Sequence, residues 1–296
     1  MSRIRETLQK YGFRFKKSLG QNFLTDENLL DSIVDAAGIG KDDTVVEIGC
    51  GAGTLTNALS EKAGRVVAYE VDRDLQPVLA ETLRGCDNTE VVFRDFSKEN
   101  LKTLHEEIGD YSVVANLPYY VTTPIVTRLL EEGIGVKSVC VMVQQEVAER
   151  FCAKEDTPEY GSITAAIALR GKAKIVKKVG RNMFYPAPNV DSAVVRIDFT
   201  GSEFTVRSEN AYREAVRCAF LNRRKTLENN LMRSFSLSRE NAAEILQKAG
   251  VDEKARGETL SPKRLALLSD VLFDTLGESA FRGKNKSEIS RGGESE

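Results

Sequence analysis

From about residue 26 to residue 145 the chain alternates short β-branched runs with segments of helical period, and the first of those runs ends in a cluster of glycines. Leu29, Leu30, Ile33, Val34 and Ala37 recur at the 3.6-residue spacing of one buried helix face, and a strand over 44–48 follows. The same reading predicts helices over 54–62, 74–83, 97–108 and 124–131, the last opened by Pro124 where a missing N–H costs nothing. Between them it predicts strands over 65–69, 91–93, 112–115 and 138–143. Strands that are apolar on both faces, separated by amphipathic helices, imply a parallel sheet covered on both sides.

After residue 150 the rhythm changes. A helix over 162–170 precedes strands over 174–179 and 193–199 that extend the sheet, the last of them antiparallel. From there only helices are predicted, over 210–220, 224–231, 238–248 and 262–273, with Gly250 stopping the third and Ser261 and Pro262 opening the fourth. A chain of 296 residues is long for one domain, and an α/β unit followed by a small all-α unit fits that length. Residues 278–296, rich in Gly, Ser, Lys and Glu and without apolar periodicity, are expected to be disordered.

The strongest apolar run, 139–143, is strand-sized, so no membrane span is expected, and the basic N-terminus lacks the apolar segment of a signal peptide. Five cysteines without CxxC spacing and a single histidine, His105, offer neither a disulfide framework nor a metal set, which points to a reducing, cytoplasmic setting. The net charge of −2 is unevenly spread: residues 1–20 hold six basic side chains and one acid, whereas 21–200 carry nine more acids than bases. Two further basic clusters stand out. One is Arg170, Lys172, Lys174, Lys177, Lys178 and Arg181; the other is Arg213, Arg217, Arg223, Arg224 and Lys225. Such runs are commonly solvated faces, and they are also what a phosphate backbone requires.

The first strand ends in Glu47-Ile48-Gly49-Cys50-Gly51-Ala52-Gly53-Thr54, a turn that lets backbone approach a ligand and leaves helix N–H groups open. Its GxGxG spacing differs from the GxGxxG of dinucleotide folds, and no GK[ST] follows, which excludes a P-loop. Glu70 and Asp95 close the next two strands. Each alone is an ordinary turn former; together with the glycines they converge on the crevice at the carboxyl edge of an α/β sheet, where a carboxylate suits ribose hydroxyls.

The fourth strand runs into Asn116-Leu117-Pro118-Tyr119, which resembles the (D/N/S)-P-P-(Y/F/W) motif of methyltransferases acting on exocyclic amines, and with the glycine turn and the two acids it implies a fold that binds S-adenosylmethionine. The Asn116 side-chain oxygen and the Leu117 carbonyl can grip the hydrogens of a poorly nucleophilic amine and aim its lone pair. Pro118 fixes the turn, and Tyr119 offers a face on which a flipped base stacks.

Three further segments carry a closer resemblance over nearly the whole chain to about residue 276. Lys17-Ser18-Leu19-Gly20-Gln21-Asn22-Phe23-Leu24 is similar to the N-terminal signature of the rRNA adenine N6,N6-dimethyltransferases. Phe184-Tyr185-Pro186-Ala187-Pro188-Asn189-Val190-Asp191-Ser192 looks like their FxPxPxVDS loop, and Phe220-Leu221-Asn222-Arg223-Arg224-Lys225-Thr226-Leu227 resembles the bacterial small-subunit branch (KsgA/RsmA). The resemblance implies a Rossmann-like methyltransferase with a seven-stranded sheet in residues 1–200, a helical RNA-recognition domain over 201–277 and the tail after it. It implies that Asn22, Leu24, Glu47, Gly49, Gly51, Glu70, Asp95, Phe96 and Asn116 bind the cofactor, and that Asn116, Leu117, Tyr119 and Phe184 handle the base. For Phe184, burial in the core is the competing reading. Arg223, Arg224 and Lys225, read as lying on a helix, are the candidate RNA contacts. The implied reaction converts two adjacent adenines in the 3′-terminal hairpin loop of 16S rRNA, in the 30S subunit or its precursor, to N6,N6-dimethyladenosine. A monomer is expected, with no metal and no membrane partner. The rivals are the large-subunit dimethyltransferases, an assembly factor without catalysis, and an NAD-dependent oxidoreductase, which the glycine spacing disfavours.

Overall fold

The computed structural model describes residues 3–16, 23–24, 27–185 and 187–281. In chain order the elements are α1 (Arg3–Lys10), β1 (Phe23–Leu24), α2 (Glu27–Ala37), β2 (Thr44–Ile48), α3 (Thr54–Lys62), β3 (Arg65–Tyr69), α4 (Gln76–Thr82), β4 (Thr89–Val92), α5 (Leu101–Ile108), β5 (Tyr111–Asn116) and α6 (Tyr119–Glu132). They continue with β6 (Val136–Gln144), α7 (Gln145–Phe151), α8 (Ser162–Arg170), β7 (Lys172–Val179), β8 (Phe184–Tyr185), β9 (Ser192–Asp198), α9 (Glu209–Ala219), α10 (Leu227–Phe235), α11 (Arg239–Lys248) and α12 (Pro262–Leu276).

The chain divides into a first unit of Met1–Cys152 with Arg170–Gly201 and a second of Ala153–Leu169 with Ser202–Glu296. In the first unit seven strands form one sheet in the order β4-β3-β2-β5-β6-β9-β7. β2, β3, β4, β5 and β6 are parallel, and β9 runs antiparallel to both β6 and β7, as the sequence pattern predicts. Consecutive residues of the central strands are wholly buried, Val45 and Val46 in β2 and Val113 and Val114 in β5, which is why these strands read as unbroken apolar runs. The chain runs outward from β2 through β3 to β4 and then crosses back to β5 on the other side of β2, so the carboxyl edge between β2 and β5 is the switch point where α/β sheets open a crevice. β7 is an edge strand, and its exposed Lys172, Lys174, Lys177 and Lys178 discourage pairing with another chain.

Several boundaries differ from the sequence reading. The helix predicted over 97–108 is divided: Asn100 accepts from the amides of Lys102 and Thr103 and so starts α5 afresh. α6 begins at Tyr119, leaving Pro124 inside the helix, because Pro118 with φ −52° and ψ 134° already sets the entry. α10 begins at Leu227, where the Thr226 side chain caps the Asn229 amide, and this leaves Arg223, Arg224 and Lys225 in the preceding turn rather than on a helix.

The expected division at residue 200 also needs correction, since 153–169 belongs to the second unit. Ala165 of α8 is fully buried in that unit's core and its carbonyl accepts from the Tyr212 hydroxyl, while the Tyr160 hydroxyl donates to the Leu260 carbonyl. Helical periodicity signals that α8 has a buried face, and carries nothing about which surface covers it. Nor does the tail begin at 278: residues Glu278–Phe281 form a 3₁₀ turn, and Phe281 is buried beside Phe235 and Phe273, at ring-centroid distances of 5.9 and 6.1 Å. One aromatic residue leaves no periodic signature.

Candidate active site

At the end of β2 the chain turns through Gly49, Gly51 and Gly53 with φ of +75°, +56° and +83°. Side chains are strained in that region, and a Cβ on Gly49 would also lie 3.0 Å from Leu117 Cδ2. The amides of Gly49 and Cys50 both donate to the Tyr69 carbonyl, at 2.9 and 3.0 Å, which ties the turn to the end of β3. Gly53 is the N-cap of α3 and offers no side chain to the helix's first amides.

Glu70 follows β3 and is 6 % exposed. Its Oε2 accepts from Gly51 N, and its Oε1 accepts from both Val71 N and Asp72 N, all at 2.8 Å. The carboxylate is therefore a brace for the glycine turn as well as part of the cavity wall. Glu47, on β2, is held differently. It is 1 % exposed, and neither its Oε2 nor Thr56 Oγ1 has a hydrogen-bond partner among the described residues. Burial pushes its carboxyl up to about 8; the nearby Thr56 hydroxyl, outside hydrogen-bond geometry, offsets part of this, and the charge on Glu70 adds to it. Glu47 is thus mostly neutral at pH 7.

Beyond β4, Asp95 Oδ1 accepts from Ser97 N at 2.9 Å and its side chain remains about half exposed. Phe96 beside it is buried and meets Tyr69 edge to face at 5.1 Å. Arg128 of α6 donates to the carbonyls of Phe96 (2.8 Å) and Glu99, pinning this loop to the helix that Tyr119 opens. Asn116 is the last residue of β5, Leu117 is buried, and the Tyr119 hydroxyl lies 2.7 Å from Ser192 Oγ.

These groups enclose a cavity of about 560 Å³, within the usual range for small-molecule sites. Of the residues expected from the sequence, Glu47, Gly49, Gly51, Glu70, Asp95, Phe96, Asn116, Leu117, Tyr119 and Phe184 all line it. Phe184 is also a core residue, 6 % exposed, so it is buried in the core and lines the cavity at once. Leu24 pairs backbone to backbone with Phe184 in the β1–β8 ribbon; Asn22 lies outside the described residues. Arg223, Arg224 and Lys225 lie in the second unit, and Arg223 is engaged there: its Nε donates to Glu258 and its guanidinium to the Pro158 carbonyl, both at 3.0 Å.

A glycine cradle, carboxylates at successive strand ends, a buried carboxyl oxygen without a partner and apolar walls from Val71, Phe96, Leu117 and Ile125 fit S-adenosylmethionine. Among the described residues no group of His, Cys, Asp or Glu can hold a metal ion. The sequence reading gave Arg128 and Ser192 no role, since nothing local marks bonds between residues 29, 32 and 73 apart. It read the basic N-terminus as a solvated face or a surface for a phosphate backbone. Lys16 is instead bound to the buried Asp72 and to Asp74, and Lys10 to Glu81.

Residues 12–270 match the family model of the ribosomal RNA adenine dimethylases. The chain is 45% identical over 279 residues to ribosomal RNA small subunit methyltransferase A of Geobacillus thermodenitrificans, covering 92% of this chain and 95% of that protein. Among solved structures it is similar to a dimethyladenosine transferase from Plasmodium falciparum (TM-score 0.73, 25% identity, 86% of this chain and 98% of the other). It is also similar to the 23S rRNA methyltransferase ErmE (TM-score 0.64, 28% identity, 84% and 99%).

Proposed function

The chain belongs to the ribosomal RNA adenine dimethylase family, in its small-subunit branch, and from that premise we propose that it dimethylates N6 of two adjacent adenines in the 3′-terminal hairpin loop of 16S rRNA, within the 30S subunit or its precursor. The enzyme is an S-adenosylmethionine-dependent rRNA adenine dimethyltransferase. The observation that carries the reading of the site is that the Asn116–Tyr119 turn opens on the same cavity as the glycine turn and Glu70.

Glu70 would accept from the sugar hydroxyls of the cofactor, and Gly49, Gly51, Asp95 and Phe96 would complete its pocket, Phe96 near the adenine ring. When bound, the cofactor supplies an activated methyl group. The Asn116 oxygen and the Leu117 carbonyl accept from the two hydrogens of the target amine, which favours a pyramidal nitrogen and directs its lone pair. Tyr119 and Phe184 stack on the flipped base. To this contact Leu117 contributes its carbonyl, so the first proline of the (D/N/S)-P-P-(Y/F/W) motif is not needed for it. No histidine takes part: His105 lies on α5, away from the cavity lining.

The greater likeness to a small-subunit enzyme, 45% against 28% for a 23S enzyme, supports the 16S target. Cytoplasmic residence and a monomeric state belong to the same proposal, in keeping with five unpaired cysteines. Incubation with radiolabelled S-adenosylmethionine and unmethylated 30S or 50S subunits tests it: label is expected in 30S subunits as dimethyladenosine, and label confined to 50S subunits overturns the 16S assignment.

A further inference from the structure

Two segments far apart in the chain meet at one hydrogen bond beside the cavity. Tyr119 opens α6, Ser192 opens β9, and their hydroxyl oxygens are 2.7 Å apart, with either able to donate. Ser192 is fully buried and is held in register by Gln144 of β6 and Val179 of β7, so its hydroxyl has a fixed position. Tyr119 is half-buried and lines the cavity.

A buried hydroxyl at the end of a sheet strand costs desolvation that alanine would not incur. Elsewhere in this sheet the buried serines Ser112 and Ser138 satisfy one another across β5 and β6, at 3.1 Å. Ser192 directs its hydroxyl out of the sheet to a cavity residue. A tyrosine at a helix start can turn about two side-chain torsions, and its ring serves as a stacking face only when both are set. A bond at the far end of the ring sets them. Burial raises the Tyr119 phenol above its ordinary value, so the phenol stays protonated at neutral pH and remains able to donate.

We propose that Ser192 is a positioning residue for methyl transfer: it holds the Tyr119 ring in the orientation on which the target base stacks, without itself touching base or cofactor. This rests on the assignment of Tyr119 as a base platform in the function proposed above. It gives the serine of the FxPxPxVDS-like loop a task distinct from that of Phe184, which comes from the same loop.

The test is a double-mutant cycle of Ser192→Ala, Tyr119→Phe and the pair, read by single-turnover methylation of unmethylated 30S subunits at saturating S-adenosylmethionine. Calorimetric cofactor affinity and the melting temperature are measured alongside. Each single change is expected to slow transfer about 3- to 10-fold, the scale of one neutral hydrogen bond, with cofactor affinity unchanged. The pair is expected to be no slower than either single change. A wild-type rate for Ser192→Ala, or effects that multiply in the pair, overturns the proposal. Should Ser192→Ala melt too low to assay, Tyr119→Phe decides, because it keeps the ring and loses only the bond: an unslowed rate overturns, a slowed one supports. Inactivity of the wild-type protein on 30S subunits is a failure of the proposed function, whereas a failed cycle in an active enzyme is a failure of this inference alone.

Discussion

The carboxyl edge of the sheet and the turn between α9 and α10 both concentrate charged residues, and they use them in opposite ways. At the sheet edge the charges are held by backbone: Glu70 accepts three amides and Asp95 one, so each carboxylate is oriented before any ligand arrives. In the turn the three cations are divided. Arg223 is tied to Glu258 and Pro158, while Arg224 and Lys225 are exposed beside it. The edge carboxylates are fixed by the backbone around them, whereas Arg224 and Lys225 stand exposed beside a cation that is itself held. Asn230, 1 % exposed, adds to this presentation by donating to the carbonyls of Ala219 and Asn222 beneath the turn.

If that contrast is right, the largest effect comes from the edge. Asn116→Ala is expected to lower the methylation rate by about 10²-fold or more, the scale of one oriented polar group in a transition state, with a far smaller change in cofactor affinity. Rate measured at saturating S-adenosylmethionine, with calorimetry for binding, separates the two. Abolished binding with a normal saturated rate would make Asn116 part of the cofactor cradle only.

The turn is tested next. Arg224→Glu with Lys225→Glu is expected to weaken association with 30S subunits by about 10-fold or more at physiological salt and to lower the slope of log affinity against log salt by about 2. Melting temperature and cofactor affinity should hold. Sedimentation over a salt series reads this directly, and an unchanged slope would return both residues to the solvated-surface reading.

The two regions were also unequally legible. The glycine turn, Glu70 and Asn116 are each placed by an apolar strand buried on both faces, among the plainest of local patterns, whereas Asp95 follows the partly exposed edge strand β4 by three residues. The bounds of β2, α3, β3 and α8 follow from periodicity alone. What stayed hidden depends on partners remote in sequence. β1 and β8 are two residues each, too short for any period, and exist only because Leu24 pairs with Phe184. The Thr226 cap that shortens α10 and the Glu258 that occupies Arg223 turn a basic helix, as read, into a braced turn. Lys10 and Lys16 look as free as any arm lysine until Glu81, Asp72 and Asp74 are seen against them.

Within the edge itself Glu47 sharpens the contrast: it is buried, and its Oε2 has no hydrogen-bond partner among the described residues. Its carboxyl is raised from 4.5 to about 8 in the fold. The folded state therefore holds a proton that the unfolded state releases, so this group's contribution is full below pH 4.5 and is lost as pH rises towards about 8. Glu47→Gln, which keeps the shape and removes the titration, is expected to flatten the fall of melting temperature across that window and to leave the variant a few degrees more stable than the wild type at its upper end. Thermal scans at several pH values check it. Parallel profiles for the two proteins would mean that Glu47 finds a partner in solution.

The smallest effect is the one that most directly tests how the turn divides its cations. The Arg223–Glu258 pair spans 3.0 Å with side chains 48% and 25% exposed, and such pairs contribute about 0.2–1 kcal/mol once solvent screening and side-chain ordering are counted. Arg223→Ala also removes the bond to the Pro158 carbonyl, so its loss of stability is expected near the upper end of that range. Glu258→Ala is expected to cost less, and the two changes to be less than additive because they remove one shared interaction. RNA association should weaken only as far as the turn loosens, with the salt slope of the wild type, because a guanidinium committed to Glu258 releases few phosphate counterions. Urea unfolding of the four proteins of this cycle gives the stabilities, and the same salt series used for Arg224 and Lys225 gives the slopes. A salt slope that falls on Arg223→Ala with no change in stability would make Arg223 a phosphate contact like its neighbours, and the turn would then be a uniform basic patch rather than a brace that presents two cations.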